Sequence, residues 1–188
     1  ENLRKSLAHS YRLTAFIAAG VLILSQSFAS LVLTGLHTPS NIIGMSLLYL
    51  RIIFCGIPAT AAYNMFASAL RAMGNSKTPL TAMIIASVLN VSLDILFVAG
   101  FGWGVAGAAI ATVIAQSFSA VYCFLILRRI DIVHLTRADF MPASGMNARL
   151  MKLGIPVVFQ NIIIGVGGLV VQYVINGFGF LFVAGFTA

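Results

Sequence analysis

Long apolar runs, separated by short polar breaks, set the pattern of this chain. The runs cover about Leu13–Leu36, Leu47–Leu70, Pro79–Gly100, Val105–Leu127 and Leu153–Ile175. A further run, Phe180–Phe186, follows a turn that begins at Gly177. Each of the first five is long enough to cross a bilayer, which takes about 20 residues of helix. The runs are continuously apolar, whereas membrane barrels alternate apolar and polar positions. Helices satisfy their backbone polar groups internally, so the pattern predicts an all-α, multi-pass helical bundle.

The breaks have their own chemistry. His37-Thr38-Pro39-Ser40-Asn41 reads as an uncharged turn. Arg71–Lys77 is short and basic, and Thr78-Pro79 after it suits a helix start, with Thr as cap and Pro in the first turn. Gly100–Gly104 is glycine-rich and holds Trp103, the single tryptophan, where an interfacial anchor would sit. Residues 128–152 form the longest polar segment.

Polar positions inside the spans fall on single faces. The weakly polar patch of the first span is Ser25-Gln26-Ser27. In the second, Pro58 should kink the helix, and Thr60, Asn64 and Ser68 repeat at four-residue spacing. In the third, Ser87, Asn90 and Asp94, three and then four residues apart, share one face. The fourth opens on Ala106, Gly107, Ala108, Ala109 and Ala111, which lets a neighbour approach closely, and continues with Thr112, Gln116 and Ser119. The fifth carries Asn161, Gly165, Gly168, Gln172 and Asn176.

Composition agrees with a membrane protein: 60% of residues are hydrophobic and 8% charged, against about 25% charged in soluble domains. The net charge of +7 does not point to nucleic acid. Basic residues occupy the first twelve positions, the 71–77 loop and the 128–152 segment, while the 37–46 and 100–104 connections have none. That alternation places the basic segments in the cytoplasm. Arg51, near the start of the second span, can snorkel to the headgroups. Cys55 and Cys123 fall in apolar runs and read as small core residues. His9, His37 and His134 read as solvated loop residues, so no metal site is expected. No second acid lies in a span, and no phosphate-binding glycine loop is present, so the chain is not expected to be an enzyme or to need an organic cofactor.

The candidate chemistry rests on Asp94. The other three acids, Glu1, Asp131 and Asp139, lie in polar segments, whereas Asp94 stands among Val91, Leu93, Ile95, Leu96 and Phe97. An acid at a bilayer centre costs roughly 2.5–3.5 kcal/mol on insertion scales. It can serve as helix glue, lie close to the interface, or bind and release a cation. Asn90, one turn away, offers an amide oxygen or NH2 group to a cation or to the carboxylate.

Three motifs carry a family resemblance. They are ALRAMGNSKTP (Ala69–Pro79), LNVSLD (Leu89–Asp94) and GVAGAAIAT (Gly104–Thr112), in this order. Together with KLGIP at 152–156 and VINGFG at 174–179, the chain resembles the MATE (multidrug and toxic compound extrusion) family, its bacterial members in particular. The resemblance implies a two-lobe protein of twelve helices in the bacterial plasma membrane. On it, residues 1–127 form the remainder of the amino-terminal lobe, 128–152 a cytoplasmic linker and 153–188 the start of the carboxy-terminal lobe. The chain then reads as an internal piece, about helices three to seven and the start of eight. It also implies efflux of cationic and amphipathic drugs by antiport against Na+ or H+, from a protein that is monomeric at full length.

For the cation or proton site the resemblance singles out Asn90 and Asp94 on one helix and Thr112 on the next. The family's further Asn falls on Ala67 here, and Asn64, about one turn earlier, is the residue that could stand in. The family's first-helix acid lies outside the sequence. Where some members carry a Glu on helix seven, the nearest polar group is Gln160. Tyr63, Ser87, Gln116, Gln160 and Gln172 are candidates to line a cavity. A lipid-linked oligosaccharide flippase of related architecture is the alternative transporter, and a non-transporting scaffold the alternative of another kind. The spans hold only Arg51 as a cation, which counts against the several cavity cations of such flippases.

Overall fold

A computed structural model describes residues 2–35, 42–130 and 146–176. The chain divides into two compact units, Glu1–Pro142 and Ala143–Ala188. In the first unit lie α1 (Asn2–Gly35), α2 (Ile43–Cys55), α3 (Ile57–Ala72), α4 (Lys77–Asp94), a π-helical turn (Ile95–Gly100) and α5 (Gly104–Arg128). The second is described through α6 (Met146–Asn176). Every described segment is helical apart from short turns. Among the described residues, five helical stretches are long and apolar enough to cross a membrane: Arg4–Thr34, Ile43–Ala72, Lys77–Gly100, Gly104–Arg128 and Leu150–Gly168.

Several boundaries differ from the expected ones. α1 starts at Asn2, so the basic opening segment is helix rather than a tail before Leu13. Its 34 residues span about 51 Å at 1.5 Å each, well over the roughly 30 Å of hydrocarbon, so charged turns extend past the core. His9, expected in a loop, lies within α1 and is 2% exposed, with Nδ1 2.8 Å from the carbonyl of Lys5. His37, His134 and the 37–41 turn lie outside the described residues. α6 begins at Met146, so helix already occupies the last part of the segment read as a linker.

The second span is two helices rather than one kinked helix. The break falls at Gly56, two residues before Pro58. Pro58 has no N–H to give and sits in the first turn of α3, where none is required. The Gly56 N–H bonds to the Ile53 carbonyl at 2.9 Å. A Cβ at Gly56 would stand 3.0 Å from that carbonyl and 3.0 Å from Cγ2 of Val113. The break therefore lies directly against α5. From α1, Gln26 donates its amide to the Arg51 carbonyl (2.9 Å) and to Sγ of Cys55 (3.3 Å) across the end of α2. Cys55 is exposed rather than buried; Cys123 is buried as expected.

The α3–α4 turn is capped differently as well. α4 starts at Lys77, and the cap is Asn75, whose Oδ1 accepts the Thr78 N–H at 3.1 Å. Gly74 in this turn has φ +81°, a conformation glycine adopts without steric cost.

α5 is the central helix of the first unit, packing against α2, α3 and α4, while α1 packs on α2 and α3. Its buried face is made of small residues, including Gly107, Ala109, Ala111, Ala115, Ser119 and Ala120. The apolar core sits at the basic end: Leu70, Ala82, Cys123 and Leu127 are enclosed by Leu7, Tyr11, Tyr63, Phe66, Met73 and others. The N-terminus of α1, the α3–α4 turn and the end of α5 meet there, as successive crossings require. Most large apolar side chains away from this core remain exposed, as suits a surface facing lipid.

Candidate functional site

Between α3, α4 and α5, beyond that core, lies a cleft of about 260 Å³. Tyr63, Ser87, Asn90, Thr112, Gln116 and Ser119 supply its polar groups, with Met83, Ala86 and Ala115 between them. Their three-residue spacing, close to one helical turn, brings Ser87 and Asn90 to the α4 side, and the small residues of α5 keep the facing wall low. Asn90 donates its amide to Oγ1 of Thr112 at 3.5 Å, and Thr112 donates in turn to the Ala108 carbonyl at 3.0 Å. Tyr63 reaches the Pro79 carbonyl at 3.4 Å, closing the cleft toward the basic end. Ser119 bonds the carbonyls of Ala82 (3.5 Å) and Ala115 (3.2 Å).

Asp94 is half-buried, one turn beyond Asn90 on the same face, and is not among the residues lining the cleft. Its Oδ1 is buried and has no hydrogen-bond partner among the described residues. A buried carboxylate oxygen without a partner is costly, because burial removes water and nothing replaces it. Asp94 is also the last α-helical residue before the π turn Ile95–Gly100. Such wide turns within helices often mark functional positions. Periodicity placed Asp94 on its face but carried no sign of the π turn.

The other candidates divide. Tyr63, Ser87 and Gln116 line the same cleft as Asn90 and Thr112. Asn64 is exposed and does not line it, and Ala67, where the resemblance implies an Asn, is fully buried. Thr60 bonds to the Gly56 carbonyl at 3.2 Å, and Ser68 accepts from Arg71 at 3.2 Å, so the expected stripe on this helix does not converge on the cleft. Gln160 is exposed on α6, and the Gln172 side chain lies outside the described ones. Among the described residues no group of His, Cys, Asp and Glu could hold a metal ion. Ser119 is a cleft residue that the spacing Thr112, Gln116, Ser119 had put on the polar stripe but that was not singled out.

Comparison with known proteins follows the same lines. The MatE family model matches residues 1–96. The chain is 36% identical over 160 residues to a probable multidrug resistance protein, YpnP, of Bacillus subtilis, covering 85% of this chain and 36% of the relative. It is 27% identical over 138 residues to the multidrug export protein MepA of Staphylococcus saprophyticus, covering 73% of this chain and 31% of the relative. The chain thus spans about a third of the length of these relatives. Its fold matches an inward-facing multidrug resistance MATE family transporter of the MOP superfamily, with TM-score 0.74 and 24% identity over 80% of this chain and 34% of that one. It also matches a MOP superfamily transporter from Pyrococcus furiosus, with TM-score 0.86 and 22% identity over 100% of this chain and 42% of that one.

Proposed function

The chain belongs to the MatE family, and from that premise we propose that it is part of a secondary multidrug exporter. It carries cationic and amphipathic small molecules outward in exchange for inward Na+ or H+. The chain is a multi-pass protein of the plasma membrane. In the proposed transporter, residues 1–127 make up the remainder of the amino-terminal lobe, 128–152 the cytoplasmic link between lobes and 153–188 the start of the carboxy-terminal lobe.

The observation that carries the proposal is the partnerless Oδ1 of Asp94, one turn from the Asn90–Thr112 bond. A cation, whether H+ or Na+, is what this oxygen lacks. With a proton, the carboxyl becomes neutral and its burial far less costly. With Na+, the Asn90 amide oxygen and the Thr112 hydroxyl are the nearby groups of the right chemistry. Ala67 adds no oxygen to such a set. The cleft beside the site offers neutral donors and acceptors from Tyr63, Ser87 and Gln116, and room for one flat ring system. An ion shifts a transporter between states only by binding one of them more tightly. A site whose carboxylate is uncompensated in one state and satisfied in the other supplies that difference.

The test is efflux of ethidium from bacteria lacking their own pumps, with the intact transporter at matched membrane levels. Wild type and Asp94→Asn are compared with Na+ present, with Na+ absent, and with the proton gradient collapsed. Loss of efflux in a folded Asp94→Asn supports coupling, and the gradient dependence names the ion. Unchanged efflux in the variant refutes the coupling role.

A further inference from the structure

The π turn after Asp94 ends in an aromatic cluster. The rings of Phe97 and Trp103 stack at 5.1 Å, Phe97 and Phe101 at 5.9 Å, and Phe101 and Trp103 meet tilted at 5.3 Å. Backbone bonds fix the arrangement: Trp103 N–H to the Phe97 carbonyl and Phe101 N–H to the Leu96 carbonyl, both 2.9 Å. Gly102 and Gly104 flank Trp103 at φ +68° and +54°, so the reversal uses conformations that side chains rarely adopt. α5 then enters beneath the cluster at Gly107. A Cβ there would lie 2.9 Å from Cβ of Phe97 and 3.2 Å from Cβ of Trp103. The rings are pressed onto the α4–α5 seam at the end opposite the basic residues.

The same seam carries Asp94, one turn below Phe97, and Asn90 and Thr112 one turn further down. At the other end it is closed by the apolar core around Leu70, Ala82, Cys123 and Leu127. Trp103 and Phe101 are about half exposed on their outer side, while Oδ1 of Asp94 beneath is buried. We infer that Phe97, Phe101 and Trp103 form an aromatic gate that shuts Asp94 off from the outer aqueous phase, with Gly107 as the seat on which it closes. Exchange of a cation at Asp94 with the outer phase requires the gate to lift. The wide π turn is the segment that changes: closing it to α-helix would rotate Phe97 off its seat without breaking the helix.

This inference builds on the reading of Asp94 as the coupling site, but its test does not depend on transport. In the intact transporter, every native cysteine, Cys55 and Cys123 among them, is replaced by Ala, and Asp94 by Cys. The rate of modification by a charged, membrane-impermeant thiol reagent added outside is then measured in sealed cells. With the gate intact, modification is slow. Trp103 takes part in two of the three ring pairs, so Trp103→Ala should raise the rate roughly tenfold. Trp103→Phe, which keeps a ring, should stay slow. Phe101→Ala provides a second opening variant should Trp103→Ala fail to reach the membrane. Equal rates in the intact and opened forms, or fast modification with the gate intact, overturn the inference. Because Asp94→Cys is read by reactivity alone, a normal Asp94→Asn efflux would sink the coupling role and leave this result standing.

Discussion

Gly107→Ala tests the packing of the α4–α5 seam most directly. The added methyl would stand 2.9 Å from Cβ of Phe97, 3.2 Å from its carbonyl carbon and 3.2 Å from Cβ of Trp103. None of these atoms is the free end of a flexible side chain; each is fixed to the backbone. Relief therefore needs a shift of the π turn or of α5, and overpacking of this kind costs about 1–3 kcal/mol. Against it stands the gain from removing a helical glycine, roughly 0.5–1 kcal/mol. Gly20→Ala on α1 isolates that gain, since nothing lies within 4 Å of its added Cβ. The propensity terms cancel in the comparison, so the two variants should differ by the overpacking cost, about 1–3 kcal/mol with Gly107→Ala the less stable. Reversible unfolding of the intact transporter in mixed micelles, by titration with a denaturing detergent, measures both. If Gly107→Ala is as stable as Gly20→Ala, the close approach of α5 to Phe97 is wrong, and the aromatic gate loses its seat.

Other outcomes follow from single contacts. Asn75→Ala should lower stability by about 1 kcal/mol, because it removes the cap on Thr78 N–H, whereas Thr78→Ala should cost clearly less; the same titration decides, and the reverse order would make Thr78 the cap. Gly56→Ala should be destabilising, and Val113→Ala should restore only part of the loss, since the Ile53 carbonyl still lies 3.0 Å away; full rescue would show that only the Val113 methyl was in the way. Gln26→Leu should cost about 0.6 kcal/mol, the usual value for a hydrogen bond within the membrane, so a loss several times larger in the unfolding titration would contradict its role as a single strap. Thr112→Val should leave the fold intact but weaken drug efflux more than Thr112→Ser, which keeps the hydroxyl that accepts from Asn90; equal efflux in the two variants would remove Thr112 from the site. Expressed alone, the chain should not lower ethidium accumulation, because on the proposed reading it lacks most of the second lobe.

What the sequence made legible followed from periodicity and charge. Five apolar runs matched the five membrane-capable helices among the described residues, and the alternation of basic and uncharged connections agreed with which ends meet. The spacing of Ser87 and Asn90, three residues apart, and of Thr112 and Gln116, four apart, was enough to put both pairs on facing walls of one cleft. The misses share a physical cause, since each depends on backbone hydrogen bonding that residue type does not announce. Pro58 signalled an interruption, yet the break falls at Gly56, because the proline is tolerated inside the first turn of a new helix. Thr78 looked like a cap by type, but Asn75, three residues earlier, points its oxygen at the open N–H. The π turn has no composition of its own. His9 read as solvated because basic and polar residues surround it in sequence, whereas the helix carries it against its neighbours. Asn64 failed as a site residue for a similar reason. Its repeat with Thr60 and Ser68 is real, but α3 turns Ala67 and Leu70 inward and leaves Asn64 and Ser68 exposed.

The seam between α4 and α5 gathers the features that a coupling site needs, and their order along it matters. At the basic end, Leu70, Ala82, Cys123 and Leu127 tie α3, α4 and α5 into one apolar core. At the far end the turn of residues 101–103 joins the π turn to α5, and its rings rest over Gly107. The polar groups lie between the two. On the proposed gate, Asp94 is the first polar side chain that lifting of the rings uncovers. An acid placed nearer Ala82 would be sealed by the core in every state, and one placed beyond Phe97 would stay hydrated in every state. In neither place would binding a cation favour one conformation over another. On the proposed reading, position on the seam, one turn inside the aromatic gate, is what would let a single carboxylate link ion binding to a change of shape.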